Sequence, residues 1–200
     1  MILKLIEVKY IIIHHTGTLN IQKDPTGERV WSNILKNHQK EFKEKFPWSK
    51  GPYHYGIGPK GNIFKGEDED KPCIHSGDDY YNQRSLAVSF IGNFEIEVMT
   101  PIQLFEGANL VKELMRKYEV SPERVLRHKD IVQTKCPGKN FPWEKFSKYL
   151  LDINSFKQNS IDFALKVGWI KNSHSPDEVV DFGTLLTVLK NFYEFLRSGN

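Results

Sequence analysis

Cysteine is scarce in this sequence, with only Cys73 and Cys136 among 200 residues. Two cysteines are too few for the disulfide framework that holds many small secreted domains together. A single disulfide between Cys73 and Cys136 is an alternative, but it would leave neither thiol available for another role. If Cys136 has a chemical role of its own, Cys73 is left over, and we expect it to be a small buried side chain.

Long apolar stretches and strong charge are also missing. No segment approaches the roughly 18 apolar residues of a membrane-spanning helix, so we expect no membrane insertion. Residues 1–7 are apolar but short and charged, so we expect no signal peptide and a protein that is made in the cytoplasm. The net charge of +3 is too mild for a nucleic-acid-binding protein, and we expect no nucleic-acid partner.

The length of the chain allows one domain of usual size and a small appendage. Strand and helix patterns alternate over most of the chain, whereas only helical patterns follow near its end. The strongest of these is a stripe of large apolar residues at helical spacing: Phe182, Leu185, Leu186, Leu189, Phe192, Tyr193 and Leu196. We therefore predict an α/β domain over residues 1–153 and a small helical C-terminal unit over residues 154–200.

Within the first domain, apolar runs and turn residues predict a sheet with helices between its strands. The branched residues 11–13 indicate a buried strand, residues 86–91 a central strand, and residues 125–126 a short one. Spaced apolar residues predict an amphipathic helix over residues 28–46. Thr100-Pro101 is typical of the start of a second helix.

Two loops complete this prediction. Residues 53–64 contain two short apolar segments separated by a turn at Gly61-Asn62, which predicts a β-hairpin. Residues 67–70 are all acidic. A solvated loop is favoured there over a cation site, because runs of like charge usually face water.

His128 and Cys136, which lie eight positions apart, stand out for their chemistry. Both are strong zinc ligands, and a catalytic zinc site uses three protein ligands and leaves the fourth position to water. The third candidate is His14, at the end of the strand formed by residues 11–13. Its neighbour His15 must face the other side of the strand. A lone histidine is more often structural, but three candidates at strand ends or loops beside Gly or Pro turns favour a metal site.

Four stretches of the chain carry a family pattern: IIIHHT at residues 11–16, PYHYGI with GNIF at 52–64, the run from Asn82 to SFIGNF at 82–94, and RH through TKCPG at 127–138. In this order they resemble the zinc-dependent N-acetylmuramoyl-L-alanine amidases of the type-2 amidase and peptidoglycan-recognition-protein superfamily, which includes phage lysozymes of the T7 kind. The resemblance covers about residues 8–150. It implies an α/β fold with a central mixed β-sheet flanked by helices, followed here by the small C-terminal helical extension.

The resemblance also implies the chemistry of the site. Zn²⁺ is the expected cofactor, with His14, His128 and Cys136 as its ligands. Tyr53 and Thr134 match the family's catalytic helpers: a tyrosine whose hydroxyl faces the metal and a residue that steadies the oxyanion. The cytosolic anhydromuropeptide amidases use an Asp as third ligand, so Cys136 argues against that branch.

Three further residues match the substrate groove of the family: His54, His75 and Asn82. We expect them to contact the substrate, or else to buttress the groove. After Gly66 the animal recognition proteins carry an Arg-Gly-Trp stretch that helps to read the third stem residue. This chain has Glu67-Asp68-Glu69 there, so the stem-peptide preference is not carried over.

The expected activity is hydrolysis of the amide bond between N-acetylmuramic acid and L-alanine in peptidoglycan, by a monomer that reaches the cell wall after release from the cytoplasm. A phage or prophage endolysin is favoured, with a bacterial autolysin as alternative. A non-catalytic peptidoglycan-binding protein is the alternative from another class, but such members typically lack the cysteine ligand. The C-terminal unit is either a wall-binding module or an extension packed on the catalytic domain.

Overall fold

The computed structural model describes residue 5 and residues 7–18 and 24–151. The chain divides into two units, Met1–Leu150 and Leu151–Asn200, and the first of them is described here. The helical unit that the sequence predicts for residues 154–200 lies outside the described residues and stays a prediction. In the described part, no helix combines the length and the apolar character that crossing a bilayer requires.

Five strands form one mixed sheet. They are β1 Tyr10–His15, β2 Tyr55–Ile57, β3 Ile63–Lys65, β4 Ser85–Phe90 and β5 Val125–Arg127. Their order across the sheet is β3-β2-β4-β1-β5. β1 is parallel to both of its neighbours, β2 is parallel to β4, and the β2–β3 hairpin is antiparallel. The predicted mixed sheet, its central strand and its hairpin are therefore confirmed.

The helices of the described residues lie between these strands and after the last one. They are α1 Glu28–Phe42, α2 Asp79–Asn82, α3 Pro101–Tyr118 and α4 Trp143–Leu151. Thr100 caps α3 as predicted, because its hydroxyl accepts a hydrogen bond from the backbone N–H of Gln103. α1 ends at Phe42, four residues before the predicted end.

The two faces of the sheet differ in chemistry. One face carries large apolar side chains that join the core residues of α3 and α4: Ile11, Ile13, Leu86, Val88 and Phe90. The alternating positions carry mostly small or polar side chains, His14, Gly56, Ser85, Ala87 and Ser89, together with the buried Ile12. Since side chains alternate along a strand, one run of residues supplies the core on one side and a polar site on the other.

The acidic loop at residues 67–70 is only partly the solvated loop that the sequence favoured, since Asp70 is exposed but its neighbours are not fully so. Glu67 is buried, and its carboxylate accepts hydrogen bonds from the backbone N–H groups of Lys50 and Asp68. Asp68 forms salt bridges with Lys50 and Lys71. The loop therefore uses its carboxylates to bind donors of the protein itself.

Glu69 in the same loop is held by three donors, the hydroxyls of Tyr55 and Tyr118 and the ammonium group of Lys117. Burial alone would raise the pKa of Glu69, but the hydrogen bonds from these three groups outweigh it and lower the pKa below its ordinary value. A lowered pKa in the folded state means that the ionised carboxylate stabilises the fold above the unfolded-state pKa of about 4.3. That stabilisation is lost as the pH falls through the folded-state pKa.

We therefore expect Glu69→Gln to lower the free energy of unfolding by about 1–3 kcal/mol at neutral pH. In urea titrations the difference from wild type should shrink toward pH of about 3, because the wild-type carboxylate is protonated there. Glu41→Gln, at an exposed glutamate of α1, is the matched control and should change little. An equal loss at both pH values would show that packing, not charge, is responsible.

Candidate metal centre

Three potential metal ligands converge at the carboxyl-terminal edge of the parallel strands. His14 lies near the end of β1, His128 directly follows β5, and Cys136 lies in the loop beyond. One ligand atom from each side chain lies within 4.8 Å of the others. His14 and Cys136 are buried and His128 is partly buried. The fold thus brings together the three residues that the sequence selected.

The donor set and its geometry fit zinc. The Sγ atom of Cys136 lies 3.7 Å from Nδ1 of His14, close to the separation of about 3.6 Å for a sulfur and a nitrogen on one tetrahedral Zn²⁺. The backbone N–H of His15 donates to this sulfur at 3.3 Å, which favours a thiolate. Burial nevertheless raises the pKa of the Cys136 thiol to about 11, so a bound metal must displace its proton.

His14 presents only one ring nitrogen to the cluster. Its Nε2 lies 2.9 Å from Nδ1 of His75, and Nε2 of His75 lies 3.0 Å from the hydroxyl of Ser85. Ser85 donates its own proton to the carbonyl oxygen of Tyr81, so His75 donates to Ser85 and accepts from His14. Burial holds the pKa of both histidines well below the ordinary value, which keeps them neutral. The chain of hydrogen bonds leaves Nδ1 of His14 as the metal-binding atom.

His128 is oriented in the same way from another direction. Its Nε2 donates to the carbonyl oxygen of Ser76 at 3.1 Å, which leaves Nδ1 for a metal. Ser76 is fixed in turn by the side-chain oxygen of Asn82, which accepts hydrogen bonds from the backbone N–H groups of His75 and Ser76 and from the Ser76 hydroxyl. Asn82 therefore holds the segment that orients both metal-binding histidines.

The sequence left two roles open for His54, His75 and Asn82, and the structure places all three behind the cluster. Each is buried. Nδ1 of His54 accepts from the backbone N–H of Ala87, and its Nε2 donates to the carbonyl oxygen of Lys71. Burial lowers the pKa of His54 to about 4, so it is neutral as well. Side chains that are engaged inside the protein cannot reach a polymer, so the geometry supports the buttressing role and not direct substrate contact.

The structure decides two further points, the orientation of His15 and the alternative of a disulfide between the two cysteines. His15 turns away from the cluster, and its Nδ1 accepts a hydrogen bond from the backbone N–H of Phe94. Both cysteines are free, so Cys73 and Cys136 form no disulfide. Cys73 is fully buried, with its sulfur 3.4 Å from Nδ1 of His54. The expectation of a small buried side chain at this position is confirmed.

Tyr53 and Thr134 flank the ligands. The ring of Tyr53 lies 5.2 Å from the ring of His14 and stacks on Trp31 of α1 at 6.4 Å. Burial raises the pKa of Tyr53 to about 12, so its hydroxyl keeps its proton at neutral pH. The hydroxyl oxygen of Thr134 accepts the backbone N–H of Cys136 at 3.3 Å, which leaves the hydroxyl proton for another acceptor.

Three serines around the cluster escaped the sequence analysis: Ser76, Ser85 and Ser89. The signal that could have revealed two of them is the alternation of Ser85, Ala87 and Ser89 with large apolar residues in a strand taken as uniformly apolar. Ser89 pairs in register with His14, and its hydroxyl is buried. A hydrogen bond with Ser89 opposes the larger effect of burial on the pKa of Tyr53, so this serine links the Tyr53 hydroxyl to the strand beside the ligand His14.

We expect His75→Ala to weaken zinc binding about 10- to 100-fold, the usual effect of losing a partner that orients a ligand. His14 would lose the acceptor that fixes which of its nitrogens carries the proton. Competition with a chromogenic chelator measures the affinity. The matched control is His38→Ala, another buried imidazole, which is bonded to Ser49 and lies outside the cluster. Unchanged affinity in His75→Ala would contradict the positioning role.

Comparison with known proteins gives a consistent result. The model of the N-acetylmuramoyl-L-alanine amidase family, Amidase_2, matches residues 5–139. The amidase LysC from Clostridium intestinale is 32% identical with a TM-score of 0.59, over 72% of this chain and 86% of that one. Peptidoglycan recognition protein-LE, solved with tracheal cytotoxin, is 28% identical with a TM-score of 0.59, over 72% and 83%. Peptidoglycan-recognition protein 2 of Holotrichia diomphalia is 28% identical over 66% of this chain and 67% of that protein.

The five-stranded mixed sheet and its flanking helices define a protein of the type-2 amidase and peptidoglycan-recognition-protein class. The chain belongs to the N-acetylmuramoyl-L-alanine amidase family, whose model covers well over half of its length. Its function is therefore exerted on peptidoglycan, as an amidase or as a binding protein.

Proposed function

We propose that this protein is a zinc-dependent N-acetylmuramoyl-L-alanine amidase that hydrolyses the bond between N-acetylmuramic acid and L-alanine in peptidoglycan. The observation that carries the proposal is the cluster of His14, His128 and Cys136, which has no fourth His, Cys, Asp or Glu among the described residues. Structural zinc sites are closed by four protein ligands, whereas catalytic sites use three and leave one position open. The arrangement therefore favours catalysis over a structural role.

A zinc ion held by these residues would lower the pKa of a coordinated water toward about 7 and polarise the carbonyl of the substrate. Tyr53 is neutral because of its raised pKa, and it donates a hydrogen bond to the carbonyl oxygen on which negative charge develops. Thr134 offers its free hydroxyl proton to the same oxygen. Each residue thus acts on the transition state, where a hydrogen bond accelerates the reaction most.

Two finer aspects of the proposal rest on particular relatives. The solved endolysine amidase LysCS from Clostridium intestinale is 31% identical over 72% of this chain, which supports an endolysin. Action on the wall as a monomer, after release from the cytoplasm, is the further part of this proposal. Peptidoglycan recognition protein-LE is solved with monomeric diaminopimelic acid-type peptidoglycan, which keeps binding without cleavage as a second candidate. Cys136 favours the enzyme, because holding a muropeptide requires no thiolate beside two histidines.

The test is digestion of purified peptidoglycan by the full-length protein as isolated, after a chelator, and after chelator followed by zinc. Mass spectrometry should show stem peptides with a free N-terminal L-alanine and glycans with intact N-acetylmuramic acid, in the zinc-containing samples alone. Binding without these products in the zinc-loaded protein would support the second candidate. Products that persist unchanged in the chelated protein would contradict zinc dependence.

A further inference from the structure

A concavity of about 560 Å³ lies beside the segments that carry His128 and Cys136 and has no role in the proposed reaction. It is lined by Arg127, Lys129, Pro137, Gly138, Lys139, Phe141, Pro142, Trp143, Glu144 and Lys145. We call it the basic pocket. None of the three metal ligands and neither catalytic helper lines it. Its walls nevertheless come from the two segments that carry His128 and Cys136, which are joined by a hydrogen bond from Lys129 N–H to the Cys136 carbonyl oxygen at 3.0 Å.

The basic pocket has an excess of positive charge, although the carboxylates of Asp130 and Glu144 offset part of it. Its lining has four cationic side chains and one acidic side chain, Glu144. Arg127 is neutralised by Asp130, whose carboxylate accepts bonds from Nη2 at 2.7 Å and from Nε at 2.9 Å. The three lysines, Lys129, Lys139 and Lys145, form no salt bridge with any described residue. A concave surface with excess positive charge concentrates anions.

The floor of the basic pocket is apolar and aromatic. Phe141 is buried, and Trp143 carries the guanidinium group of Arg127 over its ring at 5.2 Å. Asp130 and Trp143 together fix the orientation of Arg127, so this side chain is already ordered before a ligand arrives. The aromatic rings are occupied by these contacts and by Phe146, so the groups left for a ligand are the lysines at the rim, which suit anions.

We propose that the basic pocket binds the phosphate-bearing polyol or sugar repeats of an anionic cell-wall polymer. Several separate cations match a chain of repeated phosphodiesters better than they match one isolated anion, since each phosphate engages its own lysine. Binding there would hold the enzyme on the wall with its metal centre beside the glycan network. This role rests on the proposed function for its biological setting, but the binding itself does not require hydrolysis.

The experiment measures calorimetric binding of soluble poly(glycerol phosphate) by the full-length, zinc-loaded protein. The double variant Lys139→Ala/Lys145→Ala should bind about tenfold or more weakly, because each lost charge-assisted contact weakens binding. The matched control, Lys36→Ala/Lys40→Ala, removes the same charge from exposed positions of α1 and should bind as wild type does. Equal weakening in both variants would overturn the pocket as the site.

Two further arms identify the ligand. Inorganic phosphate should compete weakly, and binding of inorganic phosphate alone, without the polymer, would overturn the polymer assignment. A single-stranded oligonucleotide that competes better than poly(glycerol phosphate) would overturn it in favour of nucleic acid. Cleavage of small, phosphate-free muropeptides should be unchanged in Lys139→Ala/Lys145→Ala. If the wild-type protein cleaves no peptidoglycan yet binds the polymer, the amidase proposal fails and the binding proposal stands. If it cleaves peptidoglycan but does not bind the polymer, the binding proposal fails and the amidase proposal stands.

Discussion

Replacing Cys136 by serine is expected to remove the bound zinc and with it the hydrolytic activity. The hydroxyl of serine does not ionise near neutral pH, so the site would lose its anionic ligand and keep two neutral imidazoles. The loss of affinity should exceed the roughly 10- to 100-fold that follows from removing a residue that only orients a ligand. Elemental analysis of the dialysed protein should show about one zinc per chain in wild type and almost none in Cys136→Ser.

The chain supplies its own control for this experiment. Cys73→Ser makes the same chemical change at a buried cysteine outside the ligand cluster. It is expected to cost some stability, because a hydroxyl replaces a buried sulfur that packs against His54. Its zinc content should stay at one per chain. Full zinc content in Cys136→Ser would show that other residues hold the metal.

The fold and the ligands could be predicted because their signals are local. Short apolar runs in β1 and β4 indicate buried strands directly, and Thr100 marks the start of α3 by its own chemistry. The ligands His14, His128 and Cys136 could be predicted for a further reason. Parallel strands bring their carboxyl ends to one edge of the sheet, so side chains at the ends of such strands meet even when they are far apart in sequence, as His14 and His128 are.

The supporting residues could not be assigned in this way, because their roles depend on which buried polar groups become neighbours. His75 finds its partner His14 across 61 positions, and Glu69 finds Tyr118 across 49. Nothing in the local pattern distinguishes a histidine that lines a groove from one that orients a ligand. Residue types alone selected side chains that the structure brings close together, whereas the direction of each hydrogen bond required the packed structure.

Replacing Tyr53 by phenylalanine is expected to reduce kcat by about 100- to 1000-fold, the usual effect of removing one donor to a developing oxyanion. The ring and its packing against His14 and Trp31 are kept, so zinc content and fold should be unchanged. KM should change little, because the hydroxyl is asked to act mainly in the transition state. Because the pKa of Tyr53 is raised to about 12, the pH profile of wild-type kcat should show no step from tyrosine ionisation near neutral pH.

Tyr55→Phe is the matched control for this variant, because Tyr55 lies only two residues along the chain, in β2, but packs in the core and not beside His14. Its hydroxyl donates to Glu69 and joins the core side of the sheet, so its loss should lower stability and leave kcat nearly unchanged. The opposite pattern in the two variants is what separates a catalytic hydroxyl from a structural one. If Tyr53→Phe kept normal kcat with normal zinc content, Tyr53 would have no part in the chemistry. Stabilisation of the oxyanion would then rest on the metal and Thr134, and Thr134→Val should show the steep loss instead.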